Sequence, residues 1–296
     1  MARELRLGLI GCGRLAERGY VPAAGRARGL RLAAVADPVL ERCRAAAPGV
    51  ARFANAAELL ASRSVDVLVL ASPASAHLPD ARLAAEAGVP TLVEKPPAET
   101  ARQASELAAL DPSPWIGFNR RFEPAVRDLR ARARDASSVE LWLVVRTRRS
   151  SWRPYETDDE ILLDLGTHLV DLALWLSGGQ PAGVEARVAT RRASLRLELA
   201  DDRGWARIEC VGNRPYRERF EVRVAGRAVA RYERGGIRSF LLGARTGSPL
   251  VPSLVNQLEA FARAARGGTE PDLATAEDGL AVMQILELAR ARDAST

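Results

Sequence analysis

The stretch Leu5-Arg6-Leu7-Gly8-Leu9-Ile10-Gly11-Cys12-Gly13-Arg14-Leu15-Ala16 decides the fold. Its first half is a short apolar run that reads as a strand. Its second half is G-x-G-x-x-A, placed where a strand turns into a helix. Gly11 permits the tight turn, and Gly13 lets backbone come close to a pyrophosphate. The helix N-terminus favours that anion, and Ala16 lets helix and strand pack closely. The helix is predicted over Ala16 to Ala27. The turn nominates Gly11, Cys12, Gly13, Arg14 and Leu15 as cofactor-binding residues.

The context of the turn is a second strand that ends in an acid, Leu30-Arg31-Leu32-Ala33-Ala34-Val35-Ala36-Asp37. Asp37 follows Ala16 by 21 positions, near the spacing of a carboxylate that accepts hydrogen bonds from an adenosine ribose. An acid there repels a 2′-phosphate, and nothing arginine-like follows Asp37 directly, so NAD is expected rather than NADP. The other reading of Asp37 is a cap on the next helix.

Outward from this unit the alternation continues. A helix is expected over Glu41 to Ala47, a strand over Ala51 to Phe53, and an Asn55-capped helix to Ala61. The run Val65 to Ala71 is a buried strand, and the turn Ser72-Pro73-Ala74-Ser75 leads into a helix that carries His77 and ends at Ala87. Thr91 to Glu94 is the next strand, Thr100 opens a helix to Leu110, and Trp115 to Phe118 is one more strand. Strand and helix alternating at this spacing predict a parallel, doubly wound sheet. Ser72, Pro73 and His77, just past a strand end, are further cofactor candidates, although a surface histidine is an equal reading of His77.

After about residue 120 the pattern changes. A helix over Pro124 to Arg134 and a strand over Val139 to Arg146 precede a polar, aromatic loop, Ser150 to Glu160. A mostly buried helix follows over Ile161 to Leu176. Strands then come in succession, at 184–189, 193–199, 206–211, 219–224 and 228–232, several alternating apolar with polar residues. That is the mark of an open, mainly antiparallel sheet with one free face. Helices over Leu250 to Arg266 and Ala274 to Arg292 close the chain. The fold class is therefore α/β, with a dinucleotide-binding domain at 1–120 and a second α/β domain at 121–296, whose last helix could pack back on the first.

Composition narrows the function. Among 296 residues 47% are hydrophobic, enough for ordinary cores. Net charge is +6, but 37 acids are interleaved with 43 bases and no nucleic-acid-binding signature appears, so no nucleic-acid partner is expected. Cys12, Cys43 and Cys210 are odd in number and far apart, which suits a reduced, cytoplasmic setting. No signal-like segment or membrane-length apolar run is read, so no membrane partner is expected.

Lys95 is the only lysine among those 43 bases. It stands in Glu94-Lys95-Pro96, at the end of an apolar strand, where open α/β sheets bind ligands. A compact ammonium can share or pass a proton where a guanidinium cannot. On the helix 161–176, Asp164 and His168 are at i and i+4, with Asp171 at i+7 on the same side. Polar groups on an apolar helix must be paired or working. A core histidine satisfied by Asp164 is the bland reading. A metal site lacks an evident third ligand, so none is expected.

These pieces in this order resemble the Gfo/Idh/MocA family of nicotinamide-dependent oxidoreductases. The matching residues are the Gly11 to Ala16 turn, Glu94-Lys95-Pro96, Gly117-Phe118-Asn119-Arg120-Arg121-Phe122, and Asp164 with His168. The resemblance implies a Rossmann domain followed by an α/β domain whose open sheet makes a homo-oligomer, a dimer or tetramer. It implies a catalytic set of Lys95, Asp164 and His168, with Glu94 and Lys95 also beside the cofactor, and a cis Lys-Pro bond. The implied substrate is a small sugar, polyol or related molecule, with Asn119, Arg121, Trp152 and Tyr155 as candidate contacts besides the catalytic set. Two departures stand out. Thr157-Asp158-Asp159-Glu160 occupies the place of the family's glycine-rich turn, and the chain is short, which implies a trimmed substrate domain. Two other functions remain open: a lyase or hydrolase working through transient oxidation, and a dinucleotide-sensing regulator without turnover.

Overall fold

The structure is a computed structural model that describes residues 3–134, 136–147, 160–235 and 250–293. The loop candidates Trp152 and Tyr155, and the departure at Thr157-Asp158-Asp159, lie outside the described residues. The chain divides into two compact units, residues 1–122 with 249–281, and residues 123–248 with 282–296.

The first unit is built on β1 (Leu5–Ile10), β2 (Leu30–Ala36), β3 (Ala51–Phe53), β4 (Val67–Leu70), β5 (Thr91–Val93) and β6 (Trp115–Ile116). These pair in parallel in the order β6-β5-β4-β1-β2-β3, and the short strand Ala274–Thr275 adds antiparallel to β6. The order reverses at β1, so the crevice beyond its C-terminal end is the topological switch point where such sheets bind nucleotides. Every residue of β4 and β5 is buried, as expected for strands covered on both faces.

The helices between strands start where the sequence provides caps. Asn55 accepts from the Glu58 N–H to open the helix Ala56–Ala61, and Thr100 accepts from Gln103 N–H to open the helix Ala101–Ala108. The helix after the glycine turn differs from the expectation. It opens with an α-type bond from Glu17 N–H to Gly13 C=O, passes into a π turn, Ala16–Tyr20, closed by Val21 N–H to Ala16 C=O, and continues as a short α-helix, Val21–Ala24. Pro22 explains the break, since it has no N–H for a bond to Arg18 C=O. The extra residue in the turn rotates Tyr20 fully into the core.

The amphipathic helix Leu250–Ala264 belongs to the first unit, although 121–296 was expected to form the second. Its Leu254, Leu258 and Phe261 are fully buried in the same core as Leu7, Leu9, Tyr20 and Leu30. At about 1.5–3 kcal/mol for each such side chain, these anchors outweigh position in the chain. The final helix, Ala276–Asp293, starts with residues 276–281 in the first unit and continues in the second.

The second unit carries β7 (Val139–Arg146), β8 (Pro181–Ala189), β9 (Arg192–Leu199), β10 (Gly204–Val211), β11 (Arg217–Val224) and β12 (Arg227–Gly235), ordered β12-β11-β7-β10-β9-β8. All neighbours are antiparallel except β7 and β10, which are parallel. Leu141, Leu143, Ala206, Ile208, Phe220 and Val222 face inward at alternating positions. The helices Pro124–Arg134 and Thr167–Ser177 pack on that face. The opposite face carries Trp142 and Trp205, edge-to-face at 5.6 Å.

Candidate active site

The glycine turn is shaped by two different demands. Gly11 has φ +90°, and a Cβ there would lie 2.6 Å from the Ala71 carbonyl oxygen and 2.7 Å from Ser72 N. Only glycine fits against that backbone. At Gly13 a Cβ would meet nothing within 4 Å. The glycine there keeps open a space at the start of the helix, as a bound pyrophosphate would require.

Asp37 is buried at the end of β2. Its carboxylate accepts from Cys12 N–H at 2.9 Å and Val39 N–H at 2.8 Å, which leaves lone pairs for further donors. The cap position of the helix Leu40–Ala46 is Val39, and no side chain caps it, so Asp37 does not fill the expected capping role; its bond to Val39 N–H fixes the turn before that helix. Arg42, five residues on, brings Nη1 within 3.9 Å of the Asp37 carboxylate. The sequence reading missed it because a helical turn separates it from Asp37. Val39 and Leu40 are exposed apolar side chains beside the same carboxylate, suited to a flat aromatic base. Ser72 Oγ is shielded and has no hydrogen-bond partner among the described residues. An open cradle, a shared carboxylate, apolar exposure and an orphaned hydroxyl together fit a dinucleotide. Leu15 packs against the core, whereas Pro73 is exposed at the start of the helix Ala74–Glu86.

Cys12 and Cys43 have sulfurs 3.5 Å apart, both buried. Burial, more than any neighbouring charge, pushes both thiols up, so they remain protonated packing groups.

Around Lys95 the first unit is unusually polar for its depth. The Lys95–Pro96 bond is cis, as the resemblance implied. Lys95 itself is half-buried. Glu94 is buried and faces inward: Tyr20 Oη donates to its Oε1 at 2.6 Å, and the Lys95 backbone N–H donates to its Oε2 at 2.9 Å. Burial holds the Glu94 carboxyl above its ordinary range, and the Tyr20 hydroxyl and the Lys95 charge offset this only in part. His77 is also buried rather than a surface histidine. Its ring lies between the carbonyls of Ser72, 2.9 Å from Nε2, and Pro96, 3.1 Å from Nδ1. Burial lowers its pKa below the ordinary value, so the neutral ring donates to one of them. His77 thereby links the loops after β4 and β5. Asn119 donates to Ser253 Oγ at 3.0 Å, and buried Arg121 donates to Asp278 at 3.1 Å. Both expected substrate contacts thus also fasten the 3₁₀ turn Asn119–Phe122 within the first unit.

In the second unit Asp164 and His168 are both half-buried. Their helix opens on a π turn, Leu162–Gly166, before the α-helix Thr167–Ser177, where a single α-helix was expected. A π turn advances less per residue than an α turn, so it brings i and i+4 closer to vertical register. Arg290 donates to Glu160 at 2.8 Å just before this turn. Asp171, further along, is fully buried.

A model described as an oxidoreductase family with an NAD-binding Rossmann fold matches residues 5–112, and that family's C-terminal domain model matches residues 125–250. The chain belongs to the Gfo/Idh/MocA family. Membership makes it an NAD-dependent oxidoreductase acting on hydroxyl-bearing carbon. Among its relatives, the rhizopine catabolism protein MocA of Rhizobium meliloti is 30% identical over 307 residues, covering 97% of this chain and 94% of that one. Inositol 2-dehydrogenase 4 of Saccharopolyspora erythraea is 32% identical over 209 residues, 67% of this chain and 62% of its own. The fold matches a crystal structure of scyllo-inositol dehydrogenase from Lactobacillus casei with bound NAD(H) and scyllo-inositol. Its TM-score is 0.82 at 16% identity, covering 99% of this Gfo/Idh/MocA chain and 98% of that chain. Among the described residues no helix is long and apolar enough to cross a membrane, and no cluster of three or more His, Cys, Asp or Glu is placed to hold a metal.

Proposed function

We propose that this chain oxidises one ring hydroxyl of a cyclic polyol of the inositol class, or reduces the matching ketone. The observation that carries the reading is the single lysine at the end of β5, braced by Glu94 and His77, in a family that the inositol dehydrogenases share. Bound NAD supplies the hydride acceptor. His168 takes the hydroxyl proton, since imidazole titrates near neutrality. Lys95 donates a hydrogen bond to the same oxygen, which stabilises alkoxide character as the carbon loses hydride. Asp164 binds a neighbouring hydroxyl or fixes the His168 tautomer. Trp152 and Tyr155 remain candidate substrate contacts.

A second copy of the chain is the proposed partner, through the outer face of the six-stranded sheet. Trp142 and Trp205 lie there under Arg196, Arg207 and Arg223. Glu221 is buried beneath Arg219, Arg223 and Arg231. Mixed rows of aromatic and paired charged groups are self-complementary across a two-fold axis.

The test of the reaction is Lys95→Met assayed with myo-inositol, scyllo-inositol and NAD. NAD affinity should be kept while turnover falls by about 100-fold to 1,000-fold, the scale of removing a transition-state donor. Unchanged turnover of a substrate that the wild type uses would overturn the assignment. Steady-state NADH release marks net oxidation, whereas product without NADH marks transient oxidation.

A further inference from the structure

Tyr20 has no part in the reaction as assigned, yet it is placed with unusual care. It is fully buried, 74 positions from Glu94 in the chain, and its hydroxyl reaches that carboxylate at 2.6 Å. The π turn at Ala16–Tyr20 is what points it there. A buried carboxylate carries a heavy desolvation cost unless donors surround it. Glu94 receives one from Tyr20 Oη and one from the Lys95 backbone. Burial, and then the Glu94 charge, push the Tyr20 hydroxyl far above its ordinary range, so the proton stays on tyrosine and Glu94 is the acceptor. Among the described residues, the titratable groups acting on Glu94 are Tyr20 and Lys95. At Gly117 a Cβ would lie 3.1 Å from the Glu94 carboxyl carbon and from Oε1, so the glycine leaves room for the carboxyl group.

We propose that Tyr20 is a positioning residue for Lys95, acting through Glu94: its hydroxyl aims the carboxyl group, and that group holds the Lys95 backbone, and with it the side chain, in place. The inference rests on the assignment of Lys95 to the reacting oxygen, but its physical core does not. Neutralising Glu94 changes the surroundings of the only ε-amine in the chain whether or not the substrate is known.

Two readouts are therefore measured on the full-length protein. The first is acylation of Lys95 by an N-hydroxysuccinimide ester at fixed pH, followed by mass spectrometry of the Lys95 peptide. Tyr20→Phe and Glu94→Gln should each raise the rate several-fold, because the Lys95 backbone, and with it the side chain, is no longer held in place. The second is steady-state kinetics with NAD and the inositol that the wild type uses. Tyr20→Phe should lower kcat about 10-fold while the KM for NAD stays within about two-fold, and the double variant should be no worse than Glu94→Gln alone, since residues acting in one network are not additive.

If Tyr20→Phe leaves acylation at the wild-type rate, or adds fully to Glu94→Gln in kcat, the proposal is wrong. Should Tyr20→Phe fail to fold, Glu94→Gln carries the acylation test by itself, and a wild-type rate in that variant is equally fatal. Altered acylation in a protein that turns over no polyol would instead count against the assigned reaction and leave the coupling intact.

Discussion

Replacing Gly13 and Gly11 by alanine, one at a time, separates what the two glycines do. At Gly11 the added methyl would sit 2.6 Å from a carbonyl oxygen on a residue with φ +90°. The backbone term costs about 1–3 kcal/mol, and forced overpacking about 1–3 kcal/mol more. Unfolding midpoints in domains of this size shift about 2–4 °C per kcal/mol, so Gly11→Ala should melt roughly 5–20 °C lower without any cofactor. At Gly13 the methyl meets nothing within 4 Å, so the apo protein should melt within about 2 °C of wild type, the usual effect of a surface change. The loss appears on binding. The methyl takes space needed for close approach of the pyrophosphate, and one or two charge-assisted hydrogen bonds, at about 1.5–3 kcal/mol each, would be lengthened or lost. NAD should then bind about 10-fold to 10,000-fold more weakly. Thermal melts of both apo variants and calorimetric titration with NAD read the two effects. An NAD affinity for Gly13→Ala within two-fold of wild type would refute the reading of this space as the pyrophosphate cradle. So would an apo Gly13→Ala that melts as low as Gly11→Ala.

Asp37→Ser removes the charge that repels a 2′-phosphate and takes the carboxylate away from Arg42, which lies within 3.9 Å of it. The ratio of kcat/KM for NADP over NAD should rise by about 100-fold; a change under three-fold would mean that Arg42 does not reach the phosphate. Trp205→Glu places a charge in the middle of the proposed sheet interface, and sedimentation velocity should show wild-type dimers or tetramers becoming monomers. A wild type that already sediments as a monomer at micromolar concentration removes the reading.

Strands were legible because their signals are local. The run Val65 to Ala71 and the alternating strands between 181 and 235 announce themselves by burial pattern, and the structure keeps them within a few residues. Gly11, Gly13 and Asp37 were legible because backbone sterics and charge restrict what can stand there. The π turns at Ala16–Tyr20 and Leu162–Gly166 were not, since one additional residue per turn is lost in an approximate 3.6-residue period. Tyr20, Arg42 and the clamp made by His77 depend on contacts across the sheet that no local pattern encodes. Amphipathicity in Leu250–Ala264 shows that one face must be covered but not by which domain. Lys95 stood out for a reason unrelated to fold: it is the single exception to an otherwise complete arginine bias.

The three cysteines, all buried, turn the protein into a two-channel stability reporter. Cys12 and Cys43 are sealed in the first unit and Cys210 in the second, each at most 2% exposed. An alkylating reagent reaches them only when the surrounding unit opens. Timing the modification of the Cys12, Cys43 and Cys210 peptides in a single native sample would therefore reveal whether the two halves of the molecule unfold together or one before the other.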